Sequence, residues 1–135
     1  LAYRVPSLHI NSLPLTHIES FSNVMHAPKK LYWRNTNQLL SFSEYCEHDY
    51  SYSERYQNAG IEIVDLSPNE ILASTLEKIE LIEGKNIQSS NDKILQSAFW
   101  NAGLKITKFS NLNKFIHPEA RISLAFVKSN PNWLE

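Results

Sequence analysis

The chain has 135 residues, of which 42% are hydrophobic and 20% charged, and its formal net charge is -1 at pH 7. This composition is typical of a soluble globular domain and excludes a disordered or membrane-like chain. The near-neutral charge gives no overall basic field, so nucleic acid is not an expected partner. No membrane span is expected, because no apolar run approaches roughly 18–20 residues.

The beginning of the chain predicts a piece of a larger protein. It opens on Leu1, and the only methionine is Met25, so we expect a missing N-terminal domain upstream. Residues 1–4 fit the last turn of a helix, and residues 7–10 fit a short strand bounded by Asn11.

Strand signals are sparse along the rest of the chain. Residues 12–28 show no sustained period and predict a long irregular connection. Residues 30–33 and 38–40 flank a polar turn and fit either a small hairpin or a looped crossover. Residues 61–64 (IEIV) have the β-branched content of a strand. Because only two segments, 7–10 and 61–64, convincingly predict strands, the other strands of the sheet are expected upstream.

Three helix starts share a serine followed three residues later by a glutamate, a pattern that allows reciprocal capping. These serines are Ser41, Ser51 and Ser67, and Pro68 strengthens the third start because proline is favoured at the first helical position. Between the second and third starts lies the strand at residues 61–64. The sequence therefore predicts helix, helix, short strand and helix.

Two longer helices are predicted at about residues 68–83 and 91–102. Each has an apolar stripe that should pack against other apolar surface. The stripes are Leu72, Leu76, Ile79 and Ile82 in the first helix, and Ile94, Leu95, Ala98, Phe99 and Ala102 in the second. A last helix is predicted to begin at Pro118 and to end before Asn130, since Pro131 disfavours helical geometry in the residue before it.

The three glycines indicate what the chain lacks. Gly60, Gly84 and Gly103 each follow a predicted helix, at the position where a positive φ is favoured. No glycine cluster remains to form a phosphate-binding loop, which we expect before Leu1.

Metal binding and nucleophilic catalysis have little support in the sequence. The five histidines are scattered, and residues 47–49 (EHD), which lack an Asp-x-Asp pattern, are best interpreted as a solvated helix end. Cys46 has no glycine turn or dedicated base beside it, and we predict a small buried side chain. With one cysteine and no signal peptide, the predicted setting is cytoplasmic, and any contact with the inner membrane is expected to be peripheral.

Asn11 and Ser12 form the first candidate site. They follow the strand at residues 7–10, and ligands of open α/β sheets bind beyond the carboxyl ends of strands. An asparagine side chain offers both a donor and an acceptor to a sugar or base. The alternative is an asparagine that only forms a turn.

Residues 29–34 (KKLYWR) form the second candidate site. Lys29 and Lys30 suit a diphosphate, and Trp33 offers an aromatic face to a sugar or base. The alternative, which we favour slightly, is an ordinary amphipathic segment with Leu31 and Trp33 buried and the cations solvated. Arg55 and Glu44 are further candidates, although the predicted cap already uses Glu44.

Several segments together resemble a family of bacterial glycosyltransferases. They are VPSLHIN at residues 5–11, KLYW at 30–33, LSFSE at 40–44, YQNAGIE at 56–62, ARIS at 120–123 and FVKSNPNWL at 126–134. Their order and spacing also match the family. The resemblance covers nearly the whole chain and is least distinctive at residues 84–113.

The resemblance implies the C-terminal portion of a Rossmann-like domain of GT-B type, with few strands and a largely helical tail. Residues 1–83 would end the nucleotide-sugar-binding domain, and residues 84–135 would form a helical extension. Implied partners are a nucleotide-sugar donor, a glycan or lipid-linked acceptor and the missing N-terminal domain, with no cofactor and no obligatory metal. The resemblance transfers no catalytic residue to this chain, and the fragment alone is expected to be inactive.

Two other functions remain open at this point. A nucleotide-sugar epimerase would use the same architecture and would differ only in its products. A non-catalytic helical module would use its apolar stripes to bind a partner protein. The upstream sequence separates these ideas, because a glycosyltransferase requires further alternating strands and helices and a glycine-containing loop there.

Overall fold

The computed structural model describes residues 5–13, 23–85, 88–105 and 118–135. Strands and helices are both present, so the predicted α/β class is confirmed. In chain order the elements are β1 (Ser7–Ser12), β2 (Val24–Pro28), β3 (Lys30–Trp33), α1 (Phe42–Glu47), α2 (Ser53–Asn58), β4 (Ile61–Val64), α3 (Pro68–Ile82), α4 (Ser90–Leu104), β5 (Arg121–Ile122) and α5 (Leu124–Ser129). The expectation for residues 1–4 lies outside the described residues.

A parallel sheet of three strands, in the order β1-β2-β5, forms one part of the fold. All five residues of the central strand β2 are buried. The prediction of an irregular connection is therefore wrong for residues 24–28, and residues 14–22 lie outside the described ranges. A strand covered on both faces shows no alternation of polar and apolar residues, so its sequence lacked the expected signal.

The second sheet pairs β3 and β4 in antiparallel orientation, with Trp33 opposite Ile61. After β3 the chain turns back on itself. The Trp33 N–H donates to the Gln38 carbonyl at 2.9 Å, and the Leu40 N–H donates to the Leu31 carbonyl at 2.8 Å. Of the two predictions for this segment, the hairpin is therefore confirmed. The β4 strand is also confirmed.

Serine capping begins most of the helices. Ser41 with Glu44 and Ser67 with Glu70 form the two-way boxes that the sequence predicted. The prediction at Ser51 is wrong. Helix α2 begins at Ser53, its N-cap is Tyr52, and no side chain caps it.

The predicted start of the last helix is also wrong. Residues 121–122 form β5 beside β2, and α5 begins only after its N-cap, Ser123. The Gln96 side chain holds this backbone extended: its Nε2 donates to the Ile122 carbonyl at 2.7 Å, and its Oε1 accepts from the Ile122 N–H at 3.1 Å. The predicted end is confirmed, since Asn130 is the C-cap.

Two of the three glycine predictions are confirmed. Gly60 and Gly84 have φ of 79° and 69° and follow the C-caps of α2 and α3. Gly103 instead lies buried inside α4, so that prediction is wrong. Cys46 is a buried residue of α1, as predicted.

An aromatic cluster around Trp133 forms the centre of the core. Its ring centroid lies 5.2 Å from that of Phe42, 5.9 Å from that of Phe99 and 4.9 Å from that of Phe126. The N-terminal and C-terminal halves of the chain thus contribute side chains to one core. The division into a domain at residues 1–83 and an extension at 84–135 stays a prediction.

The long helix α3 faces the opposite way from the prediction. Ser74 and Lys78 are its buried residues, whereas all four members of its apolar stripe are exposed. In α4 the predicted stripe is only partly correct, because Phe99 is buried but Ile94 is 63% exposed. An amphipathic pattern identifies the apolar face of a helix without showing what covers it.

Candidate functional site

The two polar residues at the end of β1 take part in the fold's own hydrogen bonds. Asn11 has a φ of 57°, which asparagine tolerates better than most residues, and its Oδ1 accepts from the Leu66 N–H at 2.8 Å. The Ser12 hydroxyl donates to the His9 carbonyl at 3.0 Å. The turn alternative for Asn11 thus matches the geometry, although the Asn11 amide N–H₂ can still donate to a ligand.

The two candidate lysines each form an ion pair. Lys29 Nζ lies 3.1 Å from Asp65 Oδ1, and Lys30 Nζ lies 2.7 Å from Glu70 Oε1. Asn11 and these lysines therefore all contact residues 65–70, which comprise the connection after β4 and the first turn of α3. The structure brings Asn11, Ser12, Lys29 and Lys30 together at the carboxyl ends of β1 and β2.

Trp33 lies away from the other four candidates. At the far end of β3 it packs edge-on against His48, with ring centroids 5.3 Å apart. The ring is partly buried against the core, and Leu31 on the same strand is fully buried. This burial matches the amphipathic alternative, whereas Lys29 and Lys30 are paired with carboxylates and are not merely solvated.

The Lys30–Glu70 pair changes the pKa of both groups. The hydrogen bond to Glu70 raises the pKa of Lys30 against the opposing effect of burial. Burial alone would raise the pKa of Glu70, but the hydrogen bonds from Lys30 and Ser67 outweigh it, and the pKa is lowered. Each shift favours the charged form, so the pair stabilises the folded chain.

We expect Lys30→Met to lower the free energy of unfolding by about 1 kcal/mol near neutral pH. Because folding lowers the pKa of Glu70, its carboxylate stabilises the folded chain at pH values above the ordinary carboxyl pKa. This stabilisation disappears as the pH falls through the pKa that Glu70 has in the folded chain. Because folding raises the pKa of Lys30, its ammonium group stabilises the folded chain at pH values below the ordinary lysine pKa. This stabilisation disappears as the pH rises through the pKa that Lys30 has in the folded chain. Urea unfolding from acid to alkaline pH measures the difference.

Lys85→Met is the matched control for this pair. Lys85 contacts Glu83 at 2.9 Å, but both side chains are well exposed, so the variant should differ little from the parent at any pH. A difference between the parent and Lys30→Met that stays constant across the pH range would contradict the assigned role of the ion pair.

A polar cleft of about 670 Å³ opens beside this connection. It is lined by Lys29, Arg34, Ser53, Gln57, Ile61, Glu62, Ile63 and Asp65. Lys29 directly follows β2 and Arg34 directly follows β3. At Lys29 the polar cleft therefore reaches the carboxyl edge of the parallel sheet, where ligands of α/β sheets bind, and it extends along β3 and β4 to Arg34.

The charged groups of the polar cleft can be released to a ligand. The side chains of Lys29 and Asp65 are 31% and 70% exposed, and an ion pair this open to water contributes little stability. Exposed Arg34 donates from Nη2 to the Gln57 carbonyl at 3.3 Å, which uses one of its five N–H donors. Both cations can thus turn to an anion in the cleft.

Comparison with known proteins gives no further identification. No family model, curated protein or solved structure matches the chain. Function therefore has to be inferred from the residues of the polar cleft and the adjoining sheet edge.

The chain's own carboxylates occupy several helix N-termini that could otherwise attract a phosphate. Glu44, Glu70 and Asp92 complete the capping boxes of α1, α3 and α4. At α5, the Glu77 carboxylate accepts from the N–H groups of Leu124 and Ala125 at 3.0 and 2.9 Å. A phosphate at one of these positions would have to displace a carboxylate, so the side chains of the polar cleft are better candidates.

Two further properties hold within the described ranges. There, no three His, Cys, Asp or Glu side chains gather closely enough to hold a metal ion. In the same part of the chain, no helix has both the length and the apolar character that crossing a membrane requires.

The sequence predicted only part of the polar cleft. Arg34 lies within the second candidate segment, in which Lys29, Lys30 and Trp33 were the predicted donor contacts. Asp65 directly follows β4, and this strand-end position was the signal that could have identified it. Gln57 contributes through its backbone carbonyl, for which no sequence signal exists.

Proposed function

We propose that the chain is the C-terminal part of a bacterial glycosyltransferase that uses a nucleotide-sugar donor. The enzyme would have a GT-B-like architecture, and this chain would complete its Rossmann-like donor domain. The reaction would pass a sugar to an acceptor hydroxyl, in the assembly of a surface glycan. Two features support the proposal: the motifs that resemble the family, and a parallel sheet with polar residues at its carboxyl edge.

The observation that carries the proposal is that Lys29, beside that edge, and Arg34, at the other end of β3, line the same polar cleft. Two cations suit the diphosphate of a donor, and arginine can bind two phosphate oxygens at once. During transfer, negative charge develops on the leaving diphosphate, and the same cations would stabilise it. Their role would be electrostatic, and the general base would lie outside this chain.

Nucleoside diphosphate binding to the protein that contains this chain tests the proposal. In isothermal titration calorimetry, Arg34→Ala and Lys29→Ala should each weaken binding about ten-fold, which equals about 1.4 kcal/mol. Lys30→Ala and Asn11→Ala should have smaller effects, because Lys30 and Asn11 Oδ1 already bind Glu70 and Leu66.

Lys93→Ala is the matched control, because Lys93 is an exposed cation on α4 outside the polar cleft. It should leave the affinity unchanged. Equal affinity in the parent, Arg34→Ala and Lys29→Ala would remove the polar cleft as the donor site. Binding without glycosyl transfer, but with conversion of the nucleotide sugar itself, would instead favour the epimerase.

A further inference from the structure

The outer face of α3 carries four exposed aliphatic residues that the polar cleft does not explain. We call these four residues the outer stripe: Leu72, Leu76, Ile79 and Ile82. Their exposed fractions are 54%, 49%, 43% and 55%. Three of them fall within about 60° of arc on the helix, so they form one surface. Contiguous apolar surface of this kind marks an interaction site more often than scattered exposed residues do.

The opposite face fixes α3 in this orientation. Lys78 is buried, and its Nζ donates to the Asn23 carbonyl at 2.5 Å. The Ser74 and Ser123 hydroxyls are 2.8 Å apart, and Ser123 Oγ donates to Glu77 at 3.1 Å. Rotation of the helix to bury the outer stripe would break these contacts, so among the described residues the stripe faces outward.

Two carboxylates near the C-terminal end of the outer stripe indicate the chemistry of a partner. Glu80 lies four residues after Leu76 and beside the stripe, and Glu83, the C-cap of α3, continues the stripe at its C-terminal end. Both are exposed, and Glu83 makes a solvent-exposed ion pair with Lys85. Lys78 faces inward. The surface therefore combines aliphatic side chains with carboxylates near its C-terminal end.

We propose that the outer stripe binds an amphipathic helix whose apolar face is flanked by lysine or arginine. Aliphatic side chains at spacings of four and three residues suit the apolar face of a second helix, and Glu80 and Glu83 suit its basic flank. The proposal does not depend on the donor site.

A second copy of the chain fits this surface less well. In an antiparallel pair of α3 helices, Glu80 and Glu83 of one copy would face the N-terminal half of the other. That half presents Pro68, Asn69 and Leu72 on its outer face, and none of them is a cation. An anionic lipid surface is disfavoured by the same two carboxylates.

Fluorescence anisotropy with a synthetic peptide of about 18 residues tests the proposal. The probe is a helix with leucines on one face and lysines beside them, and its control carries glutamates in place of the lysines. The lysine peptide should bind at least ten-fold more tightly. Glu80→Lys combined with Glu83→Lys should invert this preference, because binding depends on the sign of the flanking charge.

Variants of the stripe complete the experiment. Leu76→Gln combined with Ile79→Gln should abolish binding without lowering the unfolding midpoint, since both side chains are exposed. Ile94→Gln, which changes an exposed residue of α4, should retain binding. Equal affinity for the two peptides, or no binding of either, overturns the proposal. Two other results would also overturn it: a dimer of the parent in sedimentation, or binding of the parent to phosphatidylcholine vesicles, if the Leu76→Gln, Ile79→Gln protein no longer shows it.

Discussion

Replacement of Trp133 by alanine is expected to destabilise the chain by about 3–5 kcal/mol. The indole is 2% exposed, and aromatic rings from α1, α4 and α5 surround it. Its backbone carbonyl also accepts from the Phe42 N–H at 2.6 Å, where α1 begins. The substitution leaves a cavity between elements that are distant in sequence, so the whole core loses packing.

Trp133→Phe is the informative companion variant. The indole Nε1 is buried without a hydrogen-bond partner, so phenylalanine removes an unsatisfied donor while keeping most of the aromatic contact. We expect a loss of about 1–2 kcal/mol. Urea unfolding followed by far-ultraviolet circular dichroism measures both variants. Similar losses for alanine and phenylalanine would contradict a role based on packing.

The helix starts were predictable because they depend on local chemistry. Ser41 and Ser67 cap through a glutamate three residues later, and this interaction needs no other part of the chain. Ser51 shows the limit of the pattern. Ser51 and Glu54 have the same spacing but form no cap, because the N-cap of α2 is Tyr52, one residue after Ser51.

Two strands could not be predicted because their stability comes from distant partners. Strand β2 is buried between β1 and β5, and burial on both faces removes the alternation that identifies a strand. Strand β5 has only two residues, and the Gln96 side chain, 26 residues away, satisfies both backbone groups of Ile122. Such long-range contacts leave no local pattern.

The site was predictable to the extent that strand ends gather polar side chains. The predicted strand at residues 7–10 pointed to Asn11 and Ser12, and positive charge pointed to Lys29 and Lys30. The structure places all four residues together. Their partners were not predictable, because the pairing of Lys29 with Asp65 depends on how the two sheets meet. The sequence therefore indicated the edge of the sheet but not which cation is available there.

The orientation of α3 was only partly predictable. The periodic pattern identified its apolar face correctly, but the prediction that this face is buried was wrong. The outer stripe is a regular apolar face, yet polar side chains attach the helix to the rest of the chain. Hydrophobic periodicity predicted a buried surface. In the structure this surface is exposed, and its exposure together with Glu80 and Glu83 is the basis of the proposed partner helix.

Replacement of Glu77 by alanine is expected to cost about 2–4 kcal/mol. Its carboxylate accepts from Ser123 Oγ and from the N–H groups of Leu124 and Ala125, at 2.9–3.1 Å. Hydrogen bonds to a charged acceptor contribute more than neutral ones, and alanine leaves the first N–H groups of α5 without this acceptor. Helix α5 contributes Phe126 to the core, so its loss should propagate beyond the helix.

Glu80→Ala is the matched control, since Glu80 is exposed and lies one turn away on the same helix. It should change the free energy of unfolding by less than about 0.5 kcal/mol. Glu77→Gln should fall between the two alanine variants, because one of its terminal atoms still accepts while the other becomes a donor. Equal stability of Glu77→Ala and Glu80→Ala would show that α5 does not depend on this carboxylate. A graded loss across the three variants would instead show that one inward-facing carboxylate joins α3 to α5 and thereby holds the outer stripe toward solvent.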